Sequence, residues 1–241
     1  MNHRSSTQME AKANGFDRPK RTRHFTLIEL LAAMGILVVM MLVLFRLLGS
    51  AQQAWTTSNS HAEVFENARI ALDIISRDIQ SAVARQNDVP GSNIQFRQEA
   101  ADKLWFVSAR GSGVPCELAE IGYQLNTTTN CFERAIEDST SANWNLYGAR
   151  DSADKQGGYQ RVVGGVLALN FVCTGPDASV NWTTDKEHAY LPGSVTVELT
   201  LMDSKSMALW ARLPVGSTTR TTIEKRAART FSKTIFLDNR T

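Results

Sequence analysis

Few side chains in this sequence have the types and spacing that catalysis or metal binding requires. No Gly-x-Ser-x-Gly nucleophile elbow and no Walker phosphate loop occurs in its 241 residues. Beyond the apolar segment only two histidines remain, His61 on the polar side of a predicted helix and His188 in a predicted solvated loop. Since Cys-x-x-Cys pairs and Asp-x-Asp-x-Asp loops are also missing, we predict no enzymatic activity, no cofactor and no metal site.

Glu29 is the side chain whose position most needs a chemical explanation. It is an acidic residue near the start of a largely apolar run over residues 25–48. The other charged residue of this run is Arg46, near its end. A carboxylate at the centre of a bilayer costs about 2.5–3.5 kcal/mol, and even near the edge it requires a partner. At 1.5 Å per residue the run makes a helix of about 36 Å, longer than a hydrocarbon core of about 30 Å. We therefore predict a transmembrane helix over this run, with Arg46 reaching the headgroups.

The segment before this run, residues 1–24, predicts the orientation of the chain in the membrane. It holds six basic and two acidic residues, a net charge of +4. The positive-inside rule places such a leader in the cytoplasm and the chain after Leu48 outside. Because the whole chain carries +2, the part after the leader carries −2, which does not indicate a nucleic-acid partner. A nucleic-acid patch at Arg18–Arg23 is the alternative explanation of the basic run.

Residues 25–29, Phe-Thr-Leu-Ile-Glu, follow the basic leader directly. This string resembles the N-terminal processing motif of type IV prepilins and type II secretion pseudopilins. The resemblance implies cleavage between His24 and Phe25 by a prepilin peptidase and N-methylation of Phe25. It also implies a minor pilin or pseudopilin in a type II secretion or type IV pilus-like assembly, single-pass in a bacterial inner membrane. The chain departs from the family in having His24 where glycine is usual.

The same resemblance implies a role for Glu29 in assembly. Cleavage would leave an α-amine on Phe25, which is cationic near neutral pH because the ordinary pKa of such an amine is about 7.7–8.0. Glu29 of one subunit would neutralise this amine on its neighbour, so that two costly charges become tolerable together and set the register. A carboxylate that merely sits at the headgroup boundary is the alternative. The implied partners are the membrane, the prepilin peptidase and other pilin or pseudopilin subunits.

The helix is expected to continue well beyond the apolar run. No proline interrupts the stretch from about Thr26 to Gln86, and residues 49–86 show apolar side chains at alternating spacings of three and four. The predicted apolar stripe consists of Phe65, Ala68, Leu72, Ile75, Ile79 and Ala82. The predicted polar face consists of Glu66, Arg69, Asp73, Arg77 and Asp78. Residues 68–79 also resemble the corresponding helix of J-type minor pseudopilins and of the Verrucomicrobia pilin-like cassette protein C group.

Residues 87–241 are predicted to form an exported, β-rich head domain. Short apolar or alternating runs predict strands at 104–107, 121–125, 162–172, 194–201 and 230–237. A Gly-Gly pair at 164–165 breaks the third of these runs, and the stretches 126–160 and 174–192 are predicted to be loops. The predicted fold class is α+β and pilin-like, with a long N-terminal helix packed on a mainly antiparallel sheet.

The three cysteines, Cys116, Cys131 and Cys173, all fall in the predicted exported head, where disulfides are permitted. A Cys116–Cys131 bond would close a loop whose chain-entropy contribution is about 3 kcal/mol. Three buried, reduced cysteines are the open alternative, and an odd count leaves at least one thiol unpaired.

Two other functions remain compatible with the sequence. The first is an uncleaved single-pass signal-anchor protein with an extracytoplasmic ligand-binding head, which His24 before the scissile bond would favour. The second is a secreted protein cleaved near residues 49–51, where Gly-Ser-Ala follows the apolar run. The native N-terminus distinguishes the three.

Overall fold

The computed structural model describes residues 26–89, 91–109, 118–148, 158–177 and 182–237. The chain forms two compact units, Met1–Gln53 and Ala54–Thr241. Within the described residues the order of elements is one long helix, strands, two short helices and a final strand. The α+β class predicted from the sequence is confirmed, because a long N-terminal apolar helix accompanies a head of antiparallel sheet.

Helix α1 spans Leu27–Gln80 and ends before the predicted Gln86. Ser81 terminates it, since its backbone N–H and its hydroxyl both donate to the carbonyl of Asp78, at 3.2 and 3.0 Å. The following residues then pair as a short strand with a distant part of the chain. Strand pairing therefore overrides the helix-forming composition of the predicted last turn.

The head is built from strands, with two helices near its end. The strands are β1 (Ala82–Val83), β2 (Phe96–Ala100), β3 (Lys103–Ser108), β4 (Ala119–Asn126), β5 (Cys131–Glu137), β6 (Tyr159–Gly164), β7 (Val166–Thr174), β8 (Glu187–His188), β9 (Ser194–Leu201) and β10 (Arg229–Phe236). The helices are α2 (Ser204–Ala211) and α3 (Thr218–Ala227). All five predicted strand runs are confirmed, in β3, β4, β6 with β7, β9 and β10.

The prediction of a loop at 126–160 was wrong at β5, and the prediction at 174–192 was wrong only at the two residues of β8 and at Thr174, the end of β7. β5 has the sequence Cys-Phe-Glu-Arg-Ala-Ile-Glu, in which charged residues interrupt the apolar pattern that predicts a strand. It forms nonetheless, since it pairs with β4 on one side and β6 on the other. Helices α2 and α3 were not predicted, although Asp203 and Ser217 cap them with side-chain oxygens.

The strands form two antiparallel sheets. The larger follows the order β6-β5-β4-β3-β2-β8, with β1 also paired to β3, and the smaller follows β10-β9-β7. The chain passes from one sheet to the other at the predicted Gly-Gly break. Gly165 there has φ +76°, and a Cβ on it would lie 2.3 Å from the carbonyl oxygen of Met202, so only glycine fits.

The buried face of α1 packs into the core of the head. Buried positions of α1 are Val64, Ala68, Ala71, Ile75, Ser76, Asp78 and Ile79. The predicted stripe is confirmed at Ala68, Ile75 and Ile79, whereas Phe65 is 58% exposed. The predicted polar face was wrong at Asp78, which is buried because the sheet supplies its hydrogen-bond partners.

Candidate functional site

The first part of α1 presents a continuous apolar surface. Every large apolar side chain from Leu27 to Leu48 is 49–78% exposed. By length and composition, α1 is able to cross a membrane, and none of its most apolar stretch is buried. A contiguous exposed apolar patch of this extent marks a membrane or protein interaction site.

Glu29 lies at the start of this surface and is exposed. The Thr26 backbone N–H donates to Glu29 Oε2 at 3.4 Å, and the Glu29 N–H donates to Thr26 Oγ1 at 3.3 Å. This reciprocal arrangement is a capping box, and the negative charge suits the positive end of the helix dipole. The Thr-x-x-Glu spacing signals this role, which sequence reasoning missed. Glu29 therefore orders the first turn of its own helix as well as being a candidate assembly residue.

Several predicted site residues lie outside the described residues. These are the leader at 1–24, both sides of the predicted cleavage bond, His24 and Phe25, and Cys116 of the predicted disulfide. The two described cysteines, Cys131 and Cys173, are buried and not bonded to each other. Burial raises the pKa of the Cys173 thiol to about 12, so this thiol is unreactive at neutral pH.

A buried polar cluster joins α1 to the larger sheet within the head. It consists of Asp78 from α1, Tyr123 from β4 and Arg134 from β5. The Tyr123 hydroxyl donates to Asp78 Oδ2, and Arg134 Nε and Nη2 lie 2.8 and 2.7 Å from the same oxygen. The Asp78 side chain is only 8% exposed, so these donors replace the water it loses.

Tyr123 in this cluster is held in its protonated form. Burial raises the pKa of Tyr123 well above its ordinary value, and the charge of Asp78 raises it further. The guanidinium of Arg134 acts in the opposite direction but is the smaller effect. The phenol therefore remains a hydrogen-bond donor to Asp78 at every physiological pH, which suits a structural connection between helix and sheet.

The predicted solvated position of His188 was wrong. Its ring is buried in β8, where it pairs opposite Phe96 of β2. Nδ1 lies 2.9 Å from the Tyr190 hydroxyl and Nε2 lies 3.0 Å from the Thr183 carbonyl. With both nitrogens engaged, His188 is a core residue. His61 is exposed on α1, as predicted. No group of three potential metal ligands occurs within the described parts of the chain.

The chain matches no protein-family model. It is 26% identical over 178 residues to Pilin-like protein PilA3 of Thermus thermophilus. The match covers 68% of this chain and 72% of that protein. The fold is pilin-like. This similarity agrees with the architecture, in which a long apolar N-terminal helix precedes an antiparallel head.

Proposed function

We propose that this protein is a structural, type IV pilin-like subunit that is anchored in a membrane by α1 and assembles with other pilin-like subunits. The observation that carries the proposal is the exposed apolar surface from Leu27 to Leu48. Removing apolar surface from water is worth about 25 cal/mol per Å², so this surface favours lipid or the helices of neighbouring subunits over water. The similarity to a pilin-like protein supports the same conclusion.

More specifically, we propose that the subunit is a minor pilin or pseudopilin of a type II secretion or type IV pilus-like system. In it, a prepilin peptidase cleaves before Phe25, the new amine is methylated, and the subunit stays in the inner membrane with its head outside. The motif at residues 25–29 and the charge of the leader support this proposal. The subunit acts by assembly rather than by catalysis.

Within the assembly, Glu29 has two interactions to make. In its own chain its carboxylate accepts two long hydrogen bonds of 3.4 Å, from the backbone N–H and the hydroxyl of Thr26. In the assembly its charge would be matched by the N-terminal amine of a neighbouring subunit, a stronger charge-assisted interaction in an apolar surrounding. Since the capping bonds are long and exposed, exchanging them for that amine costs little.

The experiment separates these two roles of Glu29 with three variants in the native host. Glu29→Ala removes both the cap and the charge, whereas Glu29→Gln keeps an oxygen for Thr26 and removes only the charge. Glu66→Ala is the matched control, since Glu66 is an exposed carboxylate on the same helix. We expect both Glu29 variants to enter the membrane normally but to co-purify about tenfold less with other pilin-like subunits, with no loss for Glu66→Ala.

The outcome that contradicts the proposal is unchanged co-purification of Glu29→Ala. Loss with Glu29→Ala alone would mean that only the cap matters. Mass spectrometry of the native N-terminus tests the proposed cleavage before Phe25: a methylated Phe25 supports it. An intact Met1 indicates an uncleaved signal anchor, and a start near Gln52 indicates a secreted protein without the apolar segment.

A further inference from the structure

The helices α2 and α3 form a strongly basic segment in an otherwise acidic head. Residues 204–229 contain six basic residues and one acidic residue, Glu224, a net charge of +5. The part of the chain after the leader carries −2, so its remaining residues carry −7. We name this segment, residues 204–229, the basic hairpin. A concentration of like charge of this kind indicates an anionic partner.

Four cations of the basic hairpin are exposed and uncompensated. They are Lys205, Arg212, Lys225 and Arg226. None of them forms an ion pair with any residue in the described ranges. Arg220 is used differently, since its guanidinium lies 3.6 Å from the centre of the Trp210 ring and joins the two helices. The fold of the hairpin thus leaves four charges for an external partner.

Some of these cations converge on a groove between α1, α2 and α3 of about 740 Å³. Its basic lining residues are Lys205, Arg226, Arg229 and, on α1, His61. Its two acidic lining residues are already engaged at the N-terminus of α2. Glu63 accepts hydrogen bonds of 3.2 and 3.3 Å from Ser204, and Asp203 accepts one of 3.0 Å from the backbone of Ser206. With Lys205, Arg226 and Arg229 set against these two carboxylates, and His61 neutral, the groove carries a net charge of 3 − 2 = +1.

The basic hairpin also exposes apolar side chains beside its cations. Val215, in the turn between α2 and α3, is 88% exposed, and Leu209 on α2 is 51% exposed. Leu209 also lines the groove together with Lys205 and Arg226. A surface that combines uncompensated cations with exposed apolar groups suits the boundary between headgroups and acyl chains of an anionic membrane.

We infer that the basic hairpin binds the anionic headgroups of membrane phospholipids, with Lys205, Lys225 and Arg226 at the phosphates and Leu209, which lines the groove with Lys205 and Arg226, at the acyl boundary. The inference rests on the proposed membrane anchoring by α1, since an anchored head stays at high effective concentration beside the lipid. Nucleic acid would use the cations but not the exposed apolar groups. The hairpin therefore adds a second, headgroup-dependent attachment of the same subunit to its membrane.

The test measures backbone hydrogen exchange of the full chain reconstituted in liposomes, either phosphatidylcholine alone or phosphatidylcholine with phosphatidylglycerol. We expect amides of residues 204–229 to exchange about tenfold more slowly in the anionic bilayers. The protection should disappear in high salt and in the Lys225→Glu/Arg226→Glu variant, and weaken in Leu209→Ser. Lys186→Glu, at an exposed cation outside the hairpin, should leave it unchanged. Slow backbone hydrogen exchange in β9, equal to that of the unsubstituted chain, is the check that each variant is folded.

Equal exchange in the two bilayers, or protection that survives the Lys225→Glu/Arg226→Glu change, would overturn the inference while leaving membrane anchoring intact. Protection by added DNA but not by lipid would identify a nucleic-acid surface and would also overturn it. Protection that rises with protein density at fixed lipid composition would assign the hairpin to a second copy of the chain, with the same consequence. A chain that does not fractionate with bilayers would instead contradict the proposed function.

Discussion

The two parts of helix α1 show opposite relations between apolar character and burial. From Leu27 to Leu48 nearly every residue is apolar and every large side chain is about half exposed or more. From Val64 to Ile79 the sequence is mixed, yet Val64, Ala68, Ala71, Ile75 and Ile79 are buried. Burial is thus decided by whether the chain supplies a partner surface. The second part has the head, and for the first part we propose lipid or another subunit as the partner surface.

Two carboxylates on α1 repeat this contrast. Asp78 is buried and accepts hydrogen bonds from Tyr123 and Arg134 of the head. Glu29 is exposed and receives only two long bonds from Thr26 of its own first turn. A buried charge that is fully paired is a structural element, whereas an exposed charge in an apolar surface is available to a partner. We therefore assign Asp78 to folding and propose Glu29 for assembly.

The largest expected effect comes from alanine substitutions at two isoleucines, one in each part of α1. Ile75→Ala removes a fully buried side chain and should lower the free energy of unfolding of the head by about 3–4 kcal/mol, from lost burial and the cavity left behind. Ile36→Ala, at a position 62% exposed, should leave it unchanged. Urea unfolding in detergent, followed by near-UV circular dichroism, measures both. Equal losses for the two variants would mean that the first part of α1 also stabilises the head.

A pair of aspartates gives the next largest effect. Asp78→Ala leaves Arg134 without its buried partner and should cost about 3 kcal/mol of unfolding free energy. Asp73→Ala breaks only the contacts with Arg69 and Lys233, whose side chains are 84% and 42% exposed, and should cost under about 1 kcal/mol. The same unfolding assay compares them. A loss below about 1 kcal/mol for Asp78→Ala would show that the cluster does not connect α1 to the sheet.

The smallest effect concerns the pH dependence of Tyr123. Since the pKa of Tyr123 is raised on folding, its contribution is present below about pH 10, the ordinary value, and is lost as pH rises above it. Tyr123→Phe should cost about 1 kcal/mol at pH 7 and should flatten the fall of stability above pH 10. Tyr159, whose pKa burial also raises, should retain part of that fall. Unfolding curves from pH 7 to 11 measure both changes, and an unaltered slope would contradict the assignment.

Local patterns predicted those elements whose side chains alternate or recur regularly. β9 alternates apolar and polar residues along its length, and the Gly-Gly pair marked the passage between sheets. β5 was missed because Glu133 and Arg134 interrupt any apolar pattern, and its strand state depends on pairing with β4 and β6. Helix α2 was missed although Asp203 before it is a recognisable N-cap.

The candidate site also contains features that the sequence alone predicts and features that depend on the fold. The apolar run, its basic leader and the Phe-Thr-Leu-Ile-Glu string are contiguous, so each is visible without a fold. The Asp78 cluster is not, since its three members lie on α1, β4 and β5 and meet only when the sheet forms. His188 was misjudged for the same reason, because a short polar segment becomes buried when it pairs with β2.

By itself, the sequence determined that this chain has a membrane-length apolar helix, a basic N-terminal segment and an α+β head, because hydrophobic periodicity and charge act over neighbouring residues. Only the tertiary structure decided which polar groups are buried and where cations are left without partners. Those properties depend on residues far apart in the chain that come together during folding. Desolvation and charge pairing in three dimensions, rather than residue type, then set what each group does.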